Sequence, residues 1–182
     1  MIRARDNDRE QRHTKLSFPT GYRQMQLEKV IYANDMTEGS GASLTAIGVS
    51  PVWQVDNAAD HHTYADLKLP IDRVPGTPLL FKLVYCTAGG GGNILFYVKV
   101  LVASLGTLLT TAVSPMFAVG VGSPADVQNV APTITLQAVE VDGLVGPADL
   151  QLNVGREGAH ALDTSTNNAY IIKLIVEYTA YV

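Results

Sequence analysis

Cysteine is almost missing: Cys86 is the single thiol in 182 residues. One thiol cannot close an internal bridge, so the fold is not a disulfide scaffold, and no paired CxxC motif is present to hold zinc. Its place inside an apolar run predicts a small core or interface side chain rather than a nucleophile. Charge is also sparse, at 16% Asp, Glu, Lys and Arg, which leaves little material for a pocket of convergent titratable groups. No apolar run approaches the roughly eighteen residues needed to cross a bilayer. The longest candidate, residues 100–121, is interrupted by Gly106 and Pro115. The opening MIRARDNDRE is charged where a secretory signal needs an apolar stretch. A soluble protein is therefore expected, with no membrane partner.

The motifs of common chemistries are missing too. A nucleophile elbow, a Walker loop and an HExxH helix all fail to appear. Gly89, Gly90, Gly91 and Gly92 are consecutive, but no helical pattern and no Lys-Ser or Lys-Thr follows, so they read as a loop tip rather than a phosphate cradle. His61 and His62 are adjacent, and on a strand they point to opposite faces, unlike the His-X-His pair that a cupin enzyme would use. The other histidines are His13 and His160. Arg156 and Asp163 predict a salt bridge tying down a long loop rather than a catalytic or sugar-binding pair. No catalytic, cofactor-binding or metal-ligating residue is assigned; no cofactor and no small-molecule substrate are expected.

What the chain does contain is strand-forming surface. Residues 79–103, LLFKLVYCTAGGGGNILFYVKVLVA, join two apolar, β-branched and aromatic runs through the glycines, which predicts a β-hairpin. Leu79, Phe81, Leu83 and Tyr85 share one face of the first arm; Ile94, Phe96, Val98, Val100 and Val102 make an apolar row in the second. Further strands are predicted at 28–33, 44–47, 52–55, 62–69, 130–141, 149–154 and 169–178. The last of these has Tyr170, Ile172, Leu174, Val176 and Tyr178 on one face. A polar return loop is expected over 153–168. No sustained helical period is present, so helix should be scarce. The fold class is all-β: an antiparallel β-sandwich with an extended N-terminal arm, which the resemblance given below makes one of jelly-roll type. The arm is placed at 1–27 and the sandwich at 28–182.

Charge changes sign where the body begins. Residues 1–29 hold seven basic side chains against four acidic ones, whereas the rest of the chain holds six against thirteen. A basic arm on an acidic body is suited to lying on a neighbouring copy or an acidic protein, and its interleaved acids argue against nucleic acid. Arg3, Arg5, Arg9, Arg12 and Lys15 are the partner-binding candidates. Leu80, Val84, Cys86, Leu95 and Leu101 lie opposite the core rows and predict a second buried surface, hence a homo-oligomer.

Three stretches carry a resemblance: the turn PIDRVPGTP, the glycine-rich pair of strands, and the closing LNVGREGAHALDTSTNNAYIIKLIVEYTAYV. Together they resemble the single jelly-roll structural proteins of tailed bacteriophages, with Arg156, Asp163 and Tyr178 in matching places. The resemblance implies a non-enzymatic virion component on the capsid exterior. It would be a trimeric cement or decoration protein whose partner is the major capsid protein or another virion component. The alternative is a receptor- or carbohydrate-binding jelly-roll module of a phage tail or a bacterial surface protein, with end loops doing the binding.

Overall fold

The computed structural model describes residues 22–103, 110–142 and 149–182. The strands are β1 (Gln24–Tyr32), β2 (Met36–Glu38), β3 (Ser43–Ile47), β4 (Ser50–Val55), β5 (Asp60–Lys68), β6 (Leu79–Thr87), β7 (Asn93–Ala103), β8 (Thr110–Val121), β9 (Asn129–Val130), β10 (Ile134–Leu136), β11 (Asp149–Glu157) and β12 (Ala169–Tyr181). Among the described residues a 3-10 turn, Ala33–Asp35, and one short α-helix, α1 (Ala138–Asp142), interrupt them. They build two antiparallel sheets. The seven-stranded sheet runs β10-β6-β12-β4-β3, with β1 also on β12 and β9 on β6, and the five-stranded sheet runs β2-β5-β11-β7-β8. The all-β jelly-roll sandwich is thus the fold of this chain.

The core lies between the sheets. Phe81, Leu83 and Tyr85 of β6 and Ile171, Leu174 and Val176 of β12 face Ile94, Phe96, Val98 and Val100 of β7 and Leu150, Leu152 and Val154 of β11, all buried. Alternate residues of β6, β7 and β11 point inward, which is why the apolar rows read from the sequence become walls of one core.

The predicted hairpin of residues 79–103 does not form. β6 pairs with β12, β9 and β10, while β7 pairs with β11 and β8 in the other sheet. Leu79, Phe81, Leu83 and Tyr85 of one arm and Ile94, Phe96, Val98 and Val100 of the other keep their inward rows, but from opposite sides of the core; the Val102 side chain lies outside the described ones. The glycine-rich link turns the chain from one sheet to the other, a separation of about 10 Å. Gly89, Gly90 and Gly92 do this at φ of 114°, 83° and 94°, conformations that side chains with a Cβ resist.

Other boundaries shift for local reasons. The stretch 130–141 is not one strand but two short ones and α1. β11 continues to Glu157, so Asn153 and Arg156 sit in the sheet rather than in the return loop. In β12 a register shift between Ile171 and Lys173 changes the alternation. Ala169 and Ile171 therefore join Leu174 and Val176 in the core, and Ile172 does not. Gln24–Leu27, within the segment expected as an arm, pair with Tyr181–Tyr178 of β12. Val84, Cys86 and Leu95, which were expected to be left over for a subunit contact, are already buried in the single chain at 5%, 2% and 2% exposure. Among the described residues no helix is long and apolar enough to cross a membrane.

Candidate functional site

The outer face of the five-stranded sheet carries the site. β5, β11, β7 and β8 lie side by side, and the residues opposite their inward apolar rows point away from the core. Cross-strand register then sets the neighbours. Gly155 of β11 stands between His62 of β5 and Tyr97 of β7, and Tyr97 stands beside Phe117 of β8. One register step along β11, Asn153 lies between Tyr64 and Lys99. One step the other way, Glu157 is directly opposite Asp60. Apart from Gly155 and Tyr64, these residues, with Ser40 and Pro115 at the edge, line an open concavity of about 300 Å³.

Beside this concavity Gly155 lets β11 and β5 approach closely. A Cβ there would come within 2.2 Å of the His61 carbonyl oxygen and 2.7 Å of the His62 Cβ, so any larger residue would displace β5. The Tyr97 ring is buried, and burial together with the carboxylates of Asp60 and Glu157 raises its pKa. It meets Phe117 edge-on, with centroids 6.4 Å apart. Phe117 is 49% exposed and forms the aromatic wall. His62 accepts a hydrogen bond from the Ser40 backbone N–H at 3.4 Å and lies 3.2 Å from the Tyr64 hydroxyl. Burial is the main cause lowering its pKa, with Lys99 adding to the effect, so the ring is held neutral. Two polar atoms here lack any hydrogen-bond partner although buried: Asn153 Oδ1 and Glu157 Oε2. Each carries a desolvation cost of about 1–3 kcal/mol that a bound donor would relieve.

The loop after β11 reaches Phe117 at the edge of the site, and Arg156 holds that loop in place. The guanidinium is wholly buried and donates Nε to Asp163 Oδ2 at 2.8 Å and Nη2 to Asp163 Oδ1 at 2.6 Å. It also donates to the carbonyls of Ser165 at 2.7 Å and Asn167 at 2.6 Å. The salt bridge expected between Arg156 and Asp163 is present. Asp163 Oδ2 also accepts the Leu95 N–H of β7, which docks the loop on the sheet. This places the His160 ring over Phe117, at 6.4 Å and 29°.

Sequence reasoning had singled out little of this. Arg3, Arg5, Arg9, Arg12 and Lys15 lie outside the described residues. His61 and His62 do point to opposite faces: His61 Nδ1 sits 3.4 Å from Asp56 Oδ1, while His62 faces the concavity. Among the described residues no group of three His, Cys, Asp or Glu could hold a metal. Cys86 lies on the far sheet beside Asp126, where burial and that carboxylate push the thiol up to about 11. Asp60, Tyr97, Lys99, Phe117, Asn153 and Glu157 were missed. Their signal was the polar or aromatic residue at alternate positions of otherwise apolar strands.

Fold and site together define a jelly-roll sandwich with one sheet face left open and lined by polar groups and an aromatic ring. No family model and no curated protein matches the sequence. Solved structures do match the fold. An isomalto-dextranase of Arthrobacter globiformis T6, complexed with panose, aligns over 82% of this chain and 23% of its own, with a TM-score of 0.54 and 16% identity. The CBM22-1-GH10 modules of endo-1,4-β-D-xylanase 10B from Clostridium thermocellum, complexed with xylohexaose, align over 81% and 27%, at 0.50 and 12%. A CBM36-1 domain of a multidomain xylanase from the hindgut metagenome of Trinervitermes trinervoides aligns over 82% and 96%, at 0.47 and 12%. This chain spans about a quarter of the length of the first two.

These matches overturn the expected kinship with phage cement and decoration proteins. The fold is shared with carbohydrate-binding modules and enzymes that carry them, and the virion role, capsid partner and trimer lose their basis. The residues that carried the resemblance have other duties. The PIDRVPGTP turn is pinned by Arg73, which ion-pairs with Asp142 and donates to the Thr77 carbonyl at 2.6 Å. The glycine run links the sheets, and Arg156 with Asp163 anchors a loop of its own chain. Such duties are general to β-sandwiches.

Proposed function

We propose that this protein is a non-catalytic carbohydrate-binding module whose ligand lies across the outer face of the five-stranded sheet. The observation that carries this reading is the pair of buried, unpartnered acceptors, Asn153 Oδ1 and Glu157 Oε2, in a concavity walled by the half-exposed Phe117. Sugars offer what such a surface lacks: hydroxyl donors for the orphan oxygens and a C–H face for the ring. The solved structures with xylohexaose and panose support the ligand class through their shared fold. The face carries a histidine and two carboxylates, and we assign it a binding role.

Affinity electrophoresis against a panel of neutral, acidic and amino polysaccharides tests the reading. Retardation by at least one of them, weakened in Asn153→Ala with circular dichroism unchanged, is the expected result. Migration unaffected by every polysaccharide would overturn it.

A further inference from the structure

The concavity is chemically lopsided. At one end Asp60 and Glu157 face each other across the β5–β11 pairing, and among the described residues neither has an ion-pair or hydrogen-bonding side-chain partner. Like charges directly opposite one another on a sheet repel, so an unneutralised pair is costly to keep. Among the described residues Lys99 is the one cation lining the site; it stands at the other end beside Asn153 and bonds to neither carboxylate. Asn153 is 92% buried by its 8% exposure and directs an orphan acceptor into the same space. Glu157 Oε2 is likewise unpartnered. A neutral hydroxyl would satisfy an orphan oxygen but leave the repulsion standing. An ammonium group brings three donors and a positive charge.

We infer that the Asp60–Glu157 end of this face binds the ammonium group of an amino sugar, so that the preferred ligand is a glycan containing unacetylated hexosamine. The inference rests on the glycan-binding reading above and sharpens it. Phe117 takes a pyranose face, the paired carboxylates the 2-amino group, and Asn153 Oδ1, four residues along β11, a hydroxyl of a neighbouring sugar unit. Bringing the amine between two carboxylates forms charge-assisted hydrogen bonds, which are shorter and stronger than those between neutral groups. N-acetylation removes the charge and adds bulk at the same atom.

The test is calorimetric titration of the whole protein with three β-1,4-linked oligosaccharides of equal length, built from glucosamine, N-acetylglucosamine and glucose. Calcium chloride alone is a fourth titrant. The glucosamine oligomer is expected to bind about tenfold tighter than the other two. That advantage should shrink as salt rises from about 20 mM to about 300 mM, because screening weakens exposed charge pairs. It should vanish in the Asp60→Asn, Glu157→Gln double variant, to which the glucosamine and glucose oligomers should bind alike. Binding of neutral oligomers with no gain for the amine overturns the inference and leaves the glycan reading intact. Calcium bound through Asp60 and Glu157 without amine preference also overturns it. Failure of every polysaccharide in the electrophoretic panel overturns the broader reading, and this inference with it.

Discussion

Arg156 and Asp163 form a two-bonded ion pair in which both side chains are fully withdrawn from solvent, with Nε–Oδ2 and Nη2–Oδ1 distances of 2.8 and 2.6 Å. Removing one member leaves the other charged and buried, which costs about 3–5 kcal/mol. Arg156→Ala and Asp163→Ala are each expected to lower the urea midpoint steeply. Arg156→Lys should recover little, since an ammonium cannot reproduce the planar fork that also reaches Ser165 and Asn167. An unfolding curve for Asp163→Ala that overlays the wild type would contradict this account.

Tyr85 ties the two sheets together. Its hydroxyl donates to the Val121 carbonyl and accepts the Val121 N–H, each at 2.9 Å, joining β6 to β8 across the sandwich. Tyr85→Phe keeps the ring against Phe96, with centroids 4.6 Å apart, but leaves two backbone groups unsatisfied. A loss of about 1–3 kcal/mol is expected by denaturant unfolding. A smaller change would mean that water reaches Val121.

Much of this fold was legible because period-2 alternation records which face of a strand is wet. The inward rows of β6 and β7 were readable residue by residue. Their partners were not: alternation says nothing about which sheet a strand joins, and a glycine loop serves a hairpin or a crossover equally well. The phase of β12 was lost for a related reason, since the bulge near Ile172 has no signature in side-chain chemistry. Arg156 with Asp163 was legible because a lone Arg beside a polar loop has few other uses. The site was not, because Asp60, Tyr97, Phe117 and Glu157 come from four strands, and only the β5-β11-β7-β8 order brings them together.

The Cys86 thiol titrates near 11 in the folded protein, against an ordinary value of 9.0, because burial disfavours the thiolate. The folded pKa is raised, so its contribution to stability is complete below pH 9 and is lost as pH rises toward about 11. Tyr85 and Tyr178, also raised by burial, act in the same direction at higher pH. Stability is therefore expected to fall above pH 9, and less steeply in Cys86→Ala. Unfolding free energies measured from pH 8 to pH 11 in both proteins check this, and parallel slopes would exclude Cys86 as a cause. Below pH 9 the folded protein should also resist thiol reagents that modify it rapidly once urea is added.

Phe117 separates binding from folding. It lies on an edge strand, about half exposed, against Tyr97 on one side and His160 on the other. Truncation to alanine opens no sealed core cavity, so Phe117→Ala is expected to change stability by under about 1 kcal/mol. The same truncation removes the exposed ring on which a sugar would stack, and a central aromatic anchor commonly supplies tenfold or more of an affinity. Glycan affinity should thus fall by at least about tenfold while the unfolding midpoint stays put. Val139→Ala provides the control, because Val139 is 79% exposed on α1 and does not line the concavity. Affinity unchanged by Phe117→Ala, or lost equally in Val139→Ala, would move the ligand away from the five-stranded sheet.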